Sequence, residues 1–161
     1  MAVDWFLEIA EIPGESTAEH MKGKIDVSSM SLGGSMPTTA GRTGSGLSVG
    51  KADFHDIHFS KYFDKATPKL LNAMGAGTHF GKAIFHGFKH GDKPMEFITI
   101  TLTDVVVSSY QVSGSSGSEG QDSCSVTYSV INMDYVEQSE KGGSAGKSTF
   151  GFDVRAGKKL G

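Results

Sequence analysis

Alternation of apolar and polar residues dominates the second half of the chain and predicts half-buried β-strands. The clearest stretch is 123–137. One face of this predicted strand carries Cys124, Val126, Tyr128 and Val130. The opposite face carries Ser125, Thr127 and Ser129. Similar patterns predict further strands at 3–9, 24–30, 54–59, 82–88, 96–103, 105–112 and 150–154, so about eight strands are expected.

One segment departs from this pattern and predicts a helix over 68–74. Thr67 suits an N-cap, and Pro68 suits the first helical position because the N–H that proline lacks would be unpaired there. Apolar residues follow at helical spacing, and Gly75 or Gly77 is expected to end the helix. These elements predict a mainly β protein, a small sandwich or closed barrel with one helix, since an open sheet of this size leaves edges unprotected.

Three segments rich in glycine or serine separate the strands, at 33–50, 113–122 and 142–146. The first is long for a loop inside a compact domain, and loops of that length are often functional. The alternative is a surface excursion without a function of its own.

Length and composition narrow the class of protein. A chain of 161 residues predicts a single domain over 1–161 with a substantial core. A formal net charge of −3 without a basic stripe disfavours nucleic acid as a partner. Cys124 is the single cysteine, which excludes an intrachain disulfide and a cysteine-rich zinc site. The sequence has no recognisable secretory signal or membrane-spanning stretch, so membrane insertion is not expected.

Candidate catalytic and ligand-binding motifs are weak. The GKS motif at 146–148 lacks the preceding glycine of a phosphate loop and leads into a strand pattern. His55 and His58 would point to opposite faces of a strand, which does not suit a shared metal ion. Cys124 lies on the predicted apolar face, which favours a structural thiol over a nucleophile. We therefore expect no catalytic residue, no metal site and no cofactor.

The polar faces of the predicted strands are unusually neutral. Serine and threonine occupy them at 125, 127 and 129, and again at 99, 101 and 103. A typical solvent-exposed face carries more lysine and glutamate. Small neutral side chains suit a surface inside a confined channel or against another subunit, although serine and threonine are also ordinary residues of exposed strands.

Several segments in order resemble the haemolysin-coregulated protein (Hcp) family of bacterial type VI secretion systems. They are MAVDWFLEI at 1–9, GES at 14–16, KIDV at 24–27, FHDIHFSKYFDKATPKLL at 54–71, ITLTDVVVSSY at 100–110 and MDY at 133–135. The segment at 54–71 is the most specific, and the resemblance runs nearly end to end. The chain departs from the family at Met30 and Leu32, near a position where members often carry tryptophan, so preference for a particular effector does not transfer.

The resemblance implies a small β-barrel of two packed sheets with one flanking α-helix, like a phage tail-tube protein. It also implies a non-enzymatic tube subunit that forms a homo-hexameric ring. Rings would stack head to tail, carry or export small effector proteins in the lumen, and work with a spike protein at the tip and with sheath proteins. The protein would be made in the bacterial cytoplasm without a cleavable signal and then secreted to the medium or a target cell.

Under this resemblance, two sets of residues acquire roles. The long loop would contact a neighbouring ring through Gly33, Gly34, Met36, Pro37, Arg42, Gly44 and Leu47. The lumen or an effector would be faced by Ser28, Ser29, Ser31, Ser125, Thr127 and Ser129. The competing hypothesis is a monomeric β-barrel that binds a small ligand in its interior, which requires a large apolar cavity.

Overall fold

The computed structural model describes residues 2–39, 46–139 and 144–161. Its helices are α1 (Ala66–Ala76) and a 3₁₀ turn at Glu19–Met21. Its longer strands are β1 (Val3–Glu8), β8 (Ile57–Tyr62), β9 (His79–Lys89), β10 (Met95–Ser113), β11 (Gln121–Gln138) and β12 (Ser144–Asp153). Its short strands are β2 (Ile25–Val27), β3 (Ser29–Ser31), β4 (Gly34–Ser35), β5 (Thr38–Thr39), β6 (Ser48–Val49), β7 (Asp53–Phe54) and β13 (Lys158–Lys159).

A nine-stranded antiparallel sheet curls into a nearly closed barrel. Its main path runs β13-β12-β11-β10-β9-β1-β2, and β8 pairs with both β11 and β3. Strand β2 pairs with β1, and β3, which follows it directly, pairs with β8, so the chain crosses here from one side of the barrel to the other. At the crossing, the N–H of Ser28 donates to the carbonyl of Ser60. The two walls of the barrel are therefore parts of one hydrogen-bonded sheet. The prediction of a mainly β barrel with one flanking helix is confirmed.

The barrel interior is filled by large apolar side chains from five strands. Leu7, Ile57, Phe85, Leu102 and Ile131 are all at most 1% exposed. Helix α1 covers this core with Ala66, Leu70 and Ala73. Close packing of this kind leaves the surfaces of the barrel, and not its interior, to contact other molecules.

Strand β10 is continuous through Asp104, whereas the sequence predicts two separate strands on either side of it. The alternation of buried residues along β10 shifts by one position at Asp104. Leu102 and Val105 are both fully buried although they are three positions apart, an odd spacing that would place them on opposite faces of a regular strand. Asp104 lies between them with φ of 56°, a left-handed conformation that aspartate tolerates better than most residues. On β11 the core position likewise moves from Tyr128 to Ile131, so the expectation that Val130 shares the buried face was wrong.

The helix begins earlier than predicted. Its N-cap position is Lys65, which makes no side-chain capping bond, and Gly77 ends it in the left-handed conformation. Thr67 therefore lies inside the first turn, and the N-cap prediction for it was wrong. The carboxylate of Asp64 instead accepts the N–H of Ala66 at 2.9 Å.

Two expectations about the segment before the helix also need correction. The predicted loop at 33–50 contains paired strands: Thr38 pairs with Val49 in β5–β6, and Gly34 pairs with Phe54 in β4–β7. The predicted strand at 54–59 is divided between β7 and β8. We call residues 33–39 and 46–55 the β arm. No helix in the described part of the chain is long and apolar enough to cross a membrane.

Candidate functional site: a serine-rich concave face

Four neighbouring strands, β3, β8, β11 and β10, place short polar side chains side by side. Ser29 pairs with Ser60, Ser60 pairs with Ser123, and Ser123 pairs with Gln111. Because side chains two residues apart share a face, the next row contains Ser31, His58, Ser125 and Ser109. The result is a continuous polar surface across four strands.

This surface lines an open groove of about 590 Å³. Its lining residues are Ser29, Met30, Ser31, His58, Phe59, Ser60, Ser109, Tyr110, Gln111, Ser123 and Cys124. None of them is an aspartate, glutamate, lysine or arginine. We call this surface the concave serine face. It can offer hydrogen bonds to a partner, but it has no fixed charge with which to select one.

Hydroxyl groups on this face bond to one another across strands. The hydroxyls of Ser29 and Ser60 lie 2.5 Å apart. A bulge in β10 between Val107 and Ser109 brings the Ser108 hydroxyl within 2.8 Å of the Ser125 hydroxyl. Ser108 also donates to Asp56 at 2.6 Å. These bonds hold neighbouring strands together without ion pairs within the face.

The residues predicted to face a lumen divide into two groups. Ser28, Ser29, Ser31 and Thr127 are exposed, and Ser129 is half-buried. Ser125 differs because it is 3% exposed and its hydroxyl lies within hydrogen-bonding distance of both Ser108 and Ser109. The Ser125 hydroxyl is therefore occupied by bonds within the bulge. Only the other five predicted lumen residues can contact a partner directly.

The residues predicted to contact a neighbouring ring lie on the β arm. Gly33, Gly34, Met36, Pro37 and Leu47 are all exposed, whereas Arg42 and Gly44 lie outside the described residues. Leu47 and Val49 are 71% and 68% exposed, which is unusual for large apolar side chains. A side chain at Gly34 would come within 3.0 Å of the backbone oxygen of Asp53, so glycine permits the close approach of the arm strands.

One cluster contains the residue types of a hydrolytic triad, but in the wrong arrangement. Ser129 donates to Asp104 Oδ2 at 2.8 Å, and His79 Nδ1 lies 3.0 Å from Asp104 Oδ1. The hydrogen bonds from His79 and Ser129 lower the pKa of Asp104. A triad needs the imidazole between the hydroxyl and the carboxylate, so this histidine is not placed to take the serine proton.

The thiol and the histidines also lack the surroundings of a reactive site. Burial raises the pKa of Cys124 to about 12, so the thiol stays protonated at neutral pH. His55 and His58 are both exposed, and His55 lies outside the regular strands. Within the described residues, no group of three or more histidine, cysteine, aspartate or glutamate side chains is arranged to hold a metal ion.

Sequence reasoning missed a buried charge cluster behind the concave serine face. Lys61 and Asp122 are both fully buried and pair directly across β8 and β11. The alternation of residues along β8 and β11 did contain a signal for this buried cluster. Lys61 follows Ile57 and Phe59 at the same two-residue spacing, so it occupies a core position of its strand. Asp122 similarly precedes Cys124 on the buried face of β11.

Comparison with known proteins assigns the family. The model of the family described as "Type VI secretion system effector, Hcp" matches residues 6–135. The chain belongs to the Hcp family. A curated Hcp relative, Protein hcp1 of Pseudomonas aeruginosa, is 33% identical over 158 residues, covering 96% of this chain and 97% of the relative. The resemblance predicted from the sequence segments is confirmed.

Solved structures support the same assignment. A structure described as that of a type six secretion system protein is 28% identical, with a TM-score of 0.93 over 99% of this chain and 100% of the other. Hcp1 from Salmonella typhimurium is 30% identical, with a TM-score of 0.81 over the same shares. Hcp proteins are secreted, tube-related proteins of type VI secretion, and this chain is one of them.

Proposed function

We propose that this Hcp protein is a structural tube subunit that forms homo-hexameric rings. The rings stack head to tail, and small effector proteins travel in the lumen. A spike protein at the tip and a surrounding sheath are the further partners. The observation that carries the proposal is the Hcp fold over nearly the whole chain, combined with a concave serine face that has no fixed charge.

In this proposal, the concave serine face forms the lumen wall. A wall of short hydroxyl groups keeps the bore wide and makes no strong ion pair with cargo, so different effectors can be held and released. Ser29 and Ser31 are the exposed residues of β3 that support this role. Ser28 and Thr127 extend the same neutral character beside the groove.

The β arm is the proposed contact between stacked rings. Its exposed apolar side chains, Met36, Leu47 and Val49, would be buried against the next ring, which gives a reason for their exposure in a single subunit. The protein acts in this proposal by assembly and not by catalysis. The monomeric ligand-binding alternative is disfavoured because large apolar side chains fill the barrel interior.

Light scattering and negative-stain imaging of the purified protein test the assembly. Six chains of 17.0 kDa give a ring of about 102 kDa, which is the expected mass. The Leu47→Asp variant should keep this mass but form shorter stacks, because a charge replaces an apolar contact. Leu71→Asp is the matched control, since Leu71 is an exposed leucine on α1 and is not part of the arm.

Three results would contradict the proposal in different parts. A species near 17 kDa at all concentrations would exclude the ring. Normal stacking of Leu47→Asp would exclude the arm as the contact between rings. A ring image that places β3 and β8 on the outer surface would exclude the concave serine face as the lumen wall.

A further inference from the structure

The apolar attachment of α1 to the barrel is small. Of its eleven residues, only Ala66, Leu70 and Ala73 are buried, and Met74 packs against the core while partly exposed. Two of these are alanines, which bury little surface, and the N-cap residue makes no side-chain bond. Most helical stability in proteins comes from packing of an apolar face. Another interaction is therefore expected to fix this helix in place.

The buried amine of Lys61 supplies that interaction. Its Nζ lies 2.8 Å from Asp64 Oδ1, 2.8 Å from Asp122 Oδ2 and 2.8 Å from the Thr67 hydroxyl. Lys61 is 0% exposed and Asp64 is 10% exposed, so these bonds are shielded from water. One amine thus joins β8, β11 and the first turn of α1.

A single oxygen of Asp122 gathers the remaining bonds. The Thr67 hydroxyl donates to Asp122 Oδ2 at 2.7 Å, and the Tyr110 hydroxyl donates to the same atom. Burial and the bond to Asp122 raise the pKa of Tyr110, so its hydroxyl remains a donor. The cluster therefore reaches a fourth element, β10.

This cluster is strongly interdependent. Asp122 Oδ1 is buried and accepts no hydrogen bond within the described part of the chain, so the carboxylate depends on its other oxygen. Removal of one partner from a buried ion pair leaves an uncompensated charge in the interior, which is far more destabilising than loss of the contact alone. The bonds to α1 should consequently be lost together.

We propose that Lys61, Asp122, Thr67 and Tyr110 form a clamp that decides whether α1 is docked on the barrel. The clamp stands on the core side of the strands whose opposite sides carry Ser60 and Ser123. It links the helix to the wall of the concave serine face. When it is broken, α1 is released as a local unit while the barrel remains folded.

Hydrogen exchange measured by mass spectrometry on the assembled full-length protein tests the clamp. In Lys61→Met, exchange of the α1 amides should accelerate about 100-fold or more, because Asp122 is left buried without its cation. Amides at the centre of β9 and β10 should change much less. Lys69→Met is the matched control, since Lys69 is exposed on the same helix, and it should leave α1 exchange unchanged.

A double variant separates a clamp from an ordinary buried ion pair. Lys61→Met with Asp122→Leu removes both charges, a change that is often neutral for overall stability. The clamp predicts that α1 exchange remains faster than in the parent protein, because the Thr67 hydroxyl loses its bonds to Lys61 and Asp122. This hydroxyl keeps the local bond from the Asp64 N–H at 3.2 Å, which does not reach the barrel. Recovery of the parent rate would overturn the clamp, and so would equal acceleration throughout the barrel.

Tyr110→Phe keeps the test decisive if the charge variants do not fold. It removes a single hydroxyl and should accelerate α1 exchange by about 5- to 10-fold while the β9 amides keep their protection. Unchanged α1 exchange in this variant would also overturn the proposal.

Discussion

The concave serine face and the sheet surface of β1, β9 and β10 stabilise neighbouring strands in different ways. On the second surface His86, 8% exposed, lies between two carboxylates: its Nε2 is 3.1 Å from Glu8, and its Nδ1 contacts Glu96. Lys24 lies 3.2 Å from Glu8. We call these four residues the charged cluster. The concave serine face has no comparable ion pair.

One sheet thus carries two kinds of surface, one neutral and one charged, and each suits a different kind of contact. Contacts of the His86 ring with Glu8 and Glu96 join β9 to β1 and β10, and the carboxylates and the lysine of the charged cluster also create local electric fields. Hydroxyl pairs such as Ser29 with Ser60 join strands while leaving the surface neutral. A neutral surface suits transient contact with varied partners, whereas the charged cluster suits a permanent structural contact.

The largest expected effect follows from placing a charge in the neutral face. Ser125→Asp should lower the free energy of unfolding by about 3 kcal/mol, because it buries a carboxylate near Asp56 without a cation. Thr127→Asp, on the same strand and the same face but exposed, should change it by less than about 0.5 kcal/mol. Denaturant unfolding of both variants measures this. Equal effects would mean that the two positions do not differ in burial as described.

A smaller effect is expected when the centre of the charged cluster is removed. His86→Leu leaves Glu8 and Glu96 without their shared partner and should cost about 1–3 kcal/mol in the free energy of unfolding. His90→Leu is the control, because the His90 side chain is about half exposed and, within the described residues, pairs only with Asp4. Its expected cost is below about 0.5 kcal/mol. Similar losses in the two variants would refute a special role for the charged cluster.

The smallest expected effect is a change in pH dependence. Burial tends to raise the pKa of Glu8, but the bonds to Lys24 and His86 outweigh it and lower the pKa below its ordinary value of 4.5. A lowered pKa in the folded state stabilises the protein above about pH 4.5, and this contribution is lost as the pH falls through the folded-state pKa.

Glu8→Gln should therefore lose less stability than the parent protein between about pH 5 and pH 3. The difference should stay below about 1 kcal/mol, since the Glu8 side chain is 30% exposed and solvent screens its charge. Thermal unfolding across this pH range measures it. Identical pH profiles for the two proteins would show that Glu8 contributes no linked stabilisation.

Much of the architecture could be predicted from local pattern, and each error has its own physical reason. Alternation located the long strands, and Gly77 was one of two residues expected to end the helix. The separation of β10 into two strands was wrong because Asp104 adopts a left-handed conformation without ending the pairing. The loop prediction at 33–50 was wrong because its two-residue strands are too short to produce a periodic signal.

The candidate site was only partly predictable because its residues come from strands that are distant in the chain. Neutral alternation identified Ser125, and the family resemblance pointed to Ser29 and Ser31, but their relative positions depend on the register of β3, β8 and β11. The sequence does not contain the bulge that buries Ser125. It also does not reveal that Lys61 and Asp122, 61 positions apart in the chain, become direct partners.

The sequence by itself determined where most of the long strands lie, which segment forms the helix, that one face of several strands is neutral, and to which family the chain belongs. These properties depend on residues that are near one another in the chain. Tertiary structure alone decided which neutral face becomes concave, which serine is buried, and how a lysine becomes buried beside an aspartate. Such contacts form only when distant strands pair, and their energies depend on the burial that this pairing creates.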